Sequence, residues 1–205
     1  MTDPGAVAAT RVALLELRDE RRLVQEGYDL LDEKRVLLAS ETLRELREHV
    51  AAQRDLDTDW AAARAALARA LEIHGFDDLT VEPPCPLDLV PLRIEVRSFL
   101  GIPLGEVHLE PTTCRPADPP VRDTPELRGC AEAFRRLALG LARQAARTAN
   151  LRRLMAEYRR TERRARALEN VLLPEIDQSL RFIEEQLDAV DQEEAIRVRN
   201  AARAH

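Results

Sequence analysis

Aromatic residues make up only 3% of this 205-residue chain, Lys34 is its single lysine, and no run approaches the ~18 consecutive apolar residues of a membrane span. So few large side chains argue against a wide globular core. Three cysteines, Cys85, Cys114 and Cys130, form no CxxC pair and are odd in number, which indicates neither a disulfide framework nor a zinc site. Reduced thiols in the cytosol fit this usage. The N-terminus lacks the basic segment followed by an apolar stretch that marks an export signal. The reading is of a soluble protein whose membrane contact, where it has one, comes through partners.

Catalytic constellations are also missing. A phosphate loop of the form GxxxxGK[ST] needs a lysine to reach the phosphates, yet Lys34 follows Glu33 rather than glycine. The histidines His49, His74, His108 and His205 are scattered, with no HExxH, and no serine sits in a GxSxG elbow. Glu184 and Asp188 share a helix face, which on so charged a helix is ordinary surface. The expectation is no catalytic, cofactor-binding or metal-binding residue in this chain.

What is present is helix. From Thr10 to His74 there is no proline and one glycine, Gly27; beyond Pro125 the only proline up to Arg203 is Pro174. At ~1.5 Å rise per residue each stretch could approach ~100 Å, far longer than the ~11-residue helix of a globular domain. The expected fold is mainly α: a long antiparallel two-helix coiled coil of the N- and C-terminal helices, with a small β-hairpin-containing middle segment. The predicted division is an N-terminal tail (1–9), a first helix (10–75), a middle segment (76–124, hairpin at about 92–110), a second helix (125–199, kinked near Pro174) and a tail (200–205).

In the first helix Leu17, Val24, Leu31 and Leu38 recur every seven residues, and Leu14, Arg21, Tyr28 and Arg35 form the line three residues earlier. Leu23, Leu30 and Leu37 on a neighbouring line widen the apolar face enough for more than one partner surface. Arg21 and Arg35 on the seam are read as snorkelling outward, in preference to meeting a carboxylate. Gly27 marks a close backbone approach or is simply tolerated, and Gly75 suits the residue that ends the helix.

The middle changes period. Leu92, Ile94 and Val96 alternate with Arg93, Glu95 and Arg97, and Val107 and Leu109 repeat the alternation after a turn region at Gly101-Ile102-Pro103-Leu104-Gly105. One hairpin is marginal alone, so its apolar face is expected to pack on the helix ends or on another protein. Thr124 and Pro125 have the character of an N-cap and first helical residue.

Along the second helix Leu151, Leu154, Tyr158, Thr161, Ala165, Leu168 and Leu172 keep coiled-coil spacing, and Ile176, Leu180, Ile183, Leu187 and Val190 resume it beyond Pro174. Steps of four from Leu168 to Leu180 amount to a stutter. The proline reads first as a kink and, more sharply, as a hinge. Charge is lopsided: twelve arginines against three glutamates from Arg128 to Arg166, then nine acidic residues against Arg181 alone from Ala167 to Glu194. A solvated face is the plain reading; an electrostatic bearing against acidic loops or a phosphate-binding stripe are the sharper ones. No aromatics interleave with the arginines, which speaks against nucleic acid as a partner.

Two segments resemble a known family. Leu14 to Leu38, LLELRDERRLVQEGYDLLDEKRVLL, is similar to the N-terminal helix of the D subunit of V-type and archaeal-type rotary ATPases. Thr161 to Glu194 resembles that family's C-terminal signature at Arg163, Arg164, Ala167, Leu168, Glu169, Val171, Pro174, Arg181, Phe182, Ile183, Leu187, Glu193 and Glu194. The chain departs from the family pattern at Arg166, Asp32 and Glu33, and its tail lacks a lysine-rich ending. The resemblance implies a central rotor shaft at the cytoplasmic face of the membrane, coupling ATP synthesis or hydrolysis to proton or sodium transport. It implies partners too: catalytic and non-catalytic ring subunits that bind the ATP and Mg, a small central-stalk subunit, and the rotor base on the membrane ring. In that frame Leu17, Val24, Leu31 and Leu38 face Ile176, Leu180, Ile183 and Leu187 in the shaft. Arg159, Arg160, Arg163, Arg164 and Arg166 form a collar touching the ring, and Ile94, Val96, Val107 and Leu109 dock the small partner or the base. A cytoplasmic coiled-coil scaffold is the competing reading.

Overall fold

Thr10 starts the first helix by capping it: its hydroxyl accepts the Ala13 N–H at 3.1 Å while its carbonyl accepts Leu14 N–H at 3.0 Å. In the computed structural model, which describes residues 10–81, 92–109 and 124–203, this helix is α1 (Arg11–Val81). Gly75 leaves the helical path at φ 74°, ψ 172°, a region open to glycine, and so ends the long regular helix where the sequence places its end; a short helical stretch follows the kink and runs to Val81.

β1 (Leu92–Phe99) and β2 (Ile102–Leu109) form a two-stranded antiparallel hairpin in which Leu92 opposes Leu109 and Phe99 opposes Ile102. The turn is Leu100-Gly101, both with positive φ (50° and 84°), as a two-residue hairpin turn of primed type requires. The expected turn region at 101–105 is thus mostly strand. Pro103 is accommodated because it opposes Ser98 at a position whose nitrogen faces out of the ladder, so no ladder bond is lost.

Thr124 caps the next helix, α2 (Pro125–Ala167), accepting the Leu127 N–H at 3.4 Å on its side chain and Arg128 N–H at 3.1 Å on its carbonyl. Its hydroxyl also lies 2.9 Å from His74 Nε2. A π-helical turn, Leu168–Leu172, follows, and then α3 (Leu173–Arg203), whose second residue is Pro174. This helix runs past the expected end at 199. The interruption predicted at Pro174 is the wider turn ahead of it. Leu173 N–H bonds back to Leu168 O, one residue further than an α-helical bond, and the extra residue is how the chain absorbs the stutter before a proline that cannot donate.

The chain divides into two compact units. The terminal unit holds residues 10–37 and 158–203, two antiparallel helical strands whose buried side chains include Ala165, Ile176, Leu180 and Ile183, with Leu14, Leu17, Val24 and Leu31 half-buried. Gly27 sits against the π-turn, where an added Cβ would lie 3.9 Å from Leu168 Cδ1, an ordinary contact. The middle unit holds the described residues between 38 and 157. Its helices are joined by small side chains: Ala63, Ala133 and Leu137 are buried together, with Leu56 and Ala66 packed on them. A Cβ on Gly140 would come within 3.1 Å of Leu56 Cδ1, so glycine here permits close helix approach. Cys130 is buried in the same unit, and burial pushes its thiol above the ordinary range.

Candidate interaction surfaces

In the terminal unit, ion pairs border the apolar seam at descending partner numbers. Arg11 meets Asp191 at 3.2 Å, Arg18 meets Glu184 at 2.7 Å and Arg21 meets Asp177 at 2.6 Å. Arg21 therefore does not snorkel as the sequence suggests; the Asp177 hydrogen bond and charge hold it, raising its guanidinium above the ordinary value. Arg35 likewise finds a carboxylate, Asp32 of its own helix. The Tyr28 phenol is pushed up by burial first and then by the Glu169 carboxylate, which it reaches in the π-turn.

The predicted seam residues are distributed as follows. Ile176, Leu180 and Ile183 are buried, while Leu187, Leu17, Val24 and Leu31 are half-buried. Leu38 is fully buried but belongs to the middle unit, which also contains the fully buried Leu154. Leu23, Leu30 and Leu37 remain exposed along α1.

All five collar arginines are exposed. Arg166 pairs with Glu162 at 2.7 Å one turn earlier. Arg159, Arg160, Arg163 and Arg164 have no ion-pair partner among the described residues, and so present unneutralised charge.

In the middle unit the hairpin is fixed to both helices by polar contacts. Asn150 of α2 clasps Gly105, accepting its N–H on Oδ1 and donating Nδ2–H to its carbonyl, each at 2.9 Å. Arg97 of β1 donates to Glu41 at 2.5 Å and to Glu45 at 3.3 Å on α1, where Arg44 holds the same carboxylates from its own helix. Both glutamates are buried. The hydrogen bonds from Arg44 and Arg97 overcome burial and hold the Glu41 carboxyl at about 2, against an ordinary 4.5. Arg147 meets Glu48 across the same cleft. Its four arginines, 44, 97, 143 and 147, stand with four carboxylates, Glu41, Glu45, Glu48 and Glu106, so the cleft carries no net charge to trap an anion. The phosphate-stripe reading gains nothing from it. A second polar layer lies where Gln144 Nε2 donates to Gln53 Oε1 at 3.0 Å and approaches His49 Nε2 at 3.3 Å.

Of the predicted docking residues, Ile94 is 56% and Val96 64% exposed on one face of the hairpin, whereas Val107 is half-buried and lines the cleft. The Leu109 side chain lies outside the described residues. The opposite face supplies the packing: Ile102 and Leu104 are buried, although both fall in the expected turn.

Sequence reasoning missed the Glu41–Glu45–Arg97 cluster and Asn150. One signal was available. Glu45 stands seven residues after Leu38 on the seam line, and a carboxylate at a seam position demands a partner. Nothing local in Arg97 identifies it as that partner, because the contact spans 56 residues of sequence.

No group of three or more histidine, cysteine or acidic side chains among the described residues could hold a metal ion, and no helix there is long and apolar enough to cross a membrane. The family model for the ATP synthase D subunit matches residues 13–203. The V-type ATP synthase D subunit of Thermus thermophilus is 33% identical over 199 residues, 94% of this chain and 86% of that protein. The protein of the same name from Anaeromyxobacter dehalogenans is 32% identical over 97% of this chain and 96% of its own length. The A-type ATP synthase D subunit of Thermococcus sibiricus is 26% identical over 97% and 94%.

Proposed function

Because the chain belongs to the ATP synthase D-subunit family, we propose that it is the central-stalk rotor subunit of a V/A-type ATPase or ATP synthase. In this role it couples ATP synthesis or hydrolysis in a catalytic ring to proton or sodium movement across the membrane. The observation that carries the reading is the similarity over residues 13–203, which takes in both terminal helices and the hairpin between them. In this reading ATP and Mg are bound by partner subunits, and the chain contributes no catalytic group.

The mechanism is differential binding. A subunit whose side chains differ at every angle about its helices binds each state of the surrounding ring with different free energy, and that difference alone biases the nucleotide affinity of successive sites. Two helices packed side by side resist twisting better than one, so displacement is transmitted rather than absorbed. The uncompensated arginines Arg159, Arg160, Arg163 and Arg164 would serve as an electrostatic bearing against acidic ring loops. The hairpin face at Ile94, Val96, Val107 and Leu109 would dock the small stalk partner or the rotor base. The complex sits peripherally at the cytoplasmic face of the membrane.

A tagged pull-down from gently solubilised membranes tests this. The expected result is recovery of two large nucleotide-binding subunits and a small partner at fixed ratio. Recovery of the chain alone, or as a self-associated helical dimer, would favour the scaffold reading.

A further inference from the structure

Leu23, Leu30 and Leu37 recur every seven residues along α1 yet stand outside its buried seam, and Leu23 and Leu30 are 69% and 67% exposed. Glu16 extends their line. Three residues beyond Glu16, Leu23 and Leu30 stand Asp19, Glu26 and Glu33. Two lines at three-four spacing are the pattern of a coiled-coil seam, and every residue on both is exposed. A facing helix seats its side chains in holes of four residues. Leu23, Glu26, Gly27 and Leu30 outline one such hole, which is deep because Gly27 has no side chain to fill it. The charge on this face is uncompensated, because the arginines of the same half of α1 are engaged elsewhere. Arg11, Arg18 and Arg21 hold Asp191, Glu184 and Asp177 of α3, Arg35 holds Asp32, and Arg22 holds Glu26. Glu16, Asp19, Glu20 and Glu33 have no ion-pair partner among the described residues.

We infer that this face of α1 is a second coiled-coil seam, occupied in the assembled complex by a helix of a partner subunit that carries arginine or lysine among apolar residues at three-four spacing. The inference rests on the rotary-ATPase reading for where the partner is found, namely among the other subunits of that complex. A hole walled by leucine and carboxylate fits a long basic side chain, whose stem packs on Leu23 and Leu30 while its head meets the acid. A wholly apolar helix would bury Asp19 and Glu33 with no counter-charge, and an acidic one would be repelled. A second copy of this face fits no better. Neither line contains a basic residue, so two copies joined here bring no positive charge to the seam in any register or direction. The occupant also differs from whatever meets the collar. Tyr28 reaches Glu169, so the antiparallel path sets the collar arginines at the level of α1 residues beyond Tyr28. One level of the terminal unit thus shows carboxylates on one helix and arginines on the other, and an element suited to the collar has the wrong charge for this face.

The test is photo-crosslinking of the full chain, with benzoylphenylalanine in place of Leu30, after assembly with the other ATPase subunits of the source. Mass spectrometry identifies the peptide joined to position 30. The expected peptide belongs to another subunit and has arginine or lysine among apolar residues at three-four spacing. A double variant, Asp19→Lys with Glu33→Lys, is expected to lose at least tenfold in affinity for the remaining subunits at low salt, with the loss shrinking at high salt. Its urea midpoint as a free chain should be unchanged, and the charge-preserving pair Asp19→Glu with Glu33→Asp should bind normally. An assembled complex that yields no joined peptide, or one without basic residues at that spacing, overturns the inference and leaves the rotor reading standing. Full affinity in the double lysine variant does the same. Failure of the chain to enter any such complex overturns both. A joined peptide from a second copy of this chain, such as its arginine collar, overturns the assignment to a partner subunit.

Discussion

The terminal and middle units pack helix on helix with different chemistry. In the terminal unit the interior is Ile176, Leu180 and Ile183, and the charges stay at the rim, where the Arg11 and Asp191 side chains are 78% and 56% exposed. In the middle unit alanine and glycine bring the helices close, and charge goes inside: the Glu45 side chain is only 6% exposed. The difference teaches where ion pairs matter. Rim pairs gain little, because water and salt already screen them. Buried carboxylates cannot be left alone, so the middle unit is committed to keeping Arg44 and Arg97 in place, and through Arg97 to keeping the hairpin on the helices.

The contrast can be broken most severely at the apolar positions. Leu154→Ala in the middle unit and Ile183→Ala in the terminal unit should each cost ~2–5 kcal/mol by urea unfolding, since both side chains are fully buried. If the middle unit rests on polar contacts alone, Leu154→Ala will prove mild.

Arg97→Ala should come next, at ~1–3 kcal/mol, because it withdraws a donor from buried acceptors. Its distinguishing sign is local: faster amide exchange throughout β1 and β2, with the terminal unit unchanged. Arg18→Ala, which removes a rim pair, should leave the urea midpoint within error.

Acid sharpens the same comparison. The Glu41 carboxyl is held at about 2 in the folded chain against 4.5 ordinarily. A carboxyl with a depressed folded value stabilises fully above its unfolded value, and that contribution fades as pH falls from 4.5 towards 2. The stability advantage of the native chain over Glu41→Gln should therefore be full at about pH 7, shrink below pH 4.5 and be nearly gone at pH 2. A gap independent of pH would mean that the variant is harmed by packing instead.

The smallest effects concern the two helical glycines. Gly27→Ala gains helix propensity of up to ~1 kcal/mol with room for its methyl, so its melting temperature should rise by a few degrees. Gly140→Ala gains the same propensity but presses on Leu56, and should rise less or fall.

The helices, the hairpin and the family were legible in the sequence because each leaves a local periodic trace: heptad lines from Leu14 to Leu38, strict alternation from Leu92 to Arg97, and the signature around Pro174. The turn was misplaced because Gly101-Ile102-Pro103 has turn composition, whereas the positive φ at Leu100 is set by the hairpin. The form of the break near Pro174 was hidden for a similar reason. A stutter states that one residue must be absorbed and leaves open whether a kink or a π-turn does it. The clamp of Arg97 on Glu41 and Glu45 was invisible, since no local pattern encodes a contact between a strand and a helix so far apart in the chain. For the surfaces, pattern located exposed arginines and an exposed apolar strand face; which partner meets each is a property of the complex.

The measurement that tests the central claim most directly is a reversible lock. A single disulfide between an Arg163→Cys variant of this chain and a cysteine placed in a facing loop of the catalytic ring joins the two in the assembled complex. If the chain turns within the ring, coupled turnover stops when the disulfide forms and returns on reduction. Turnover that continues with the chain locked to the ring would contradict the rotor assignment.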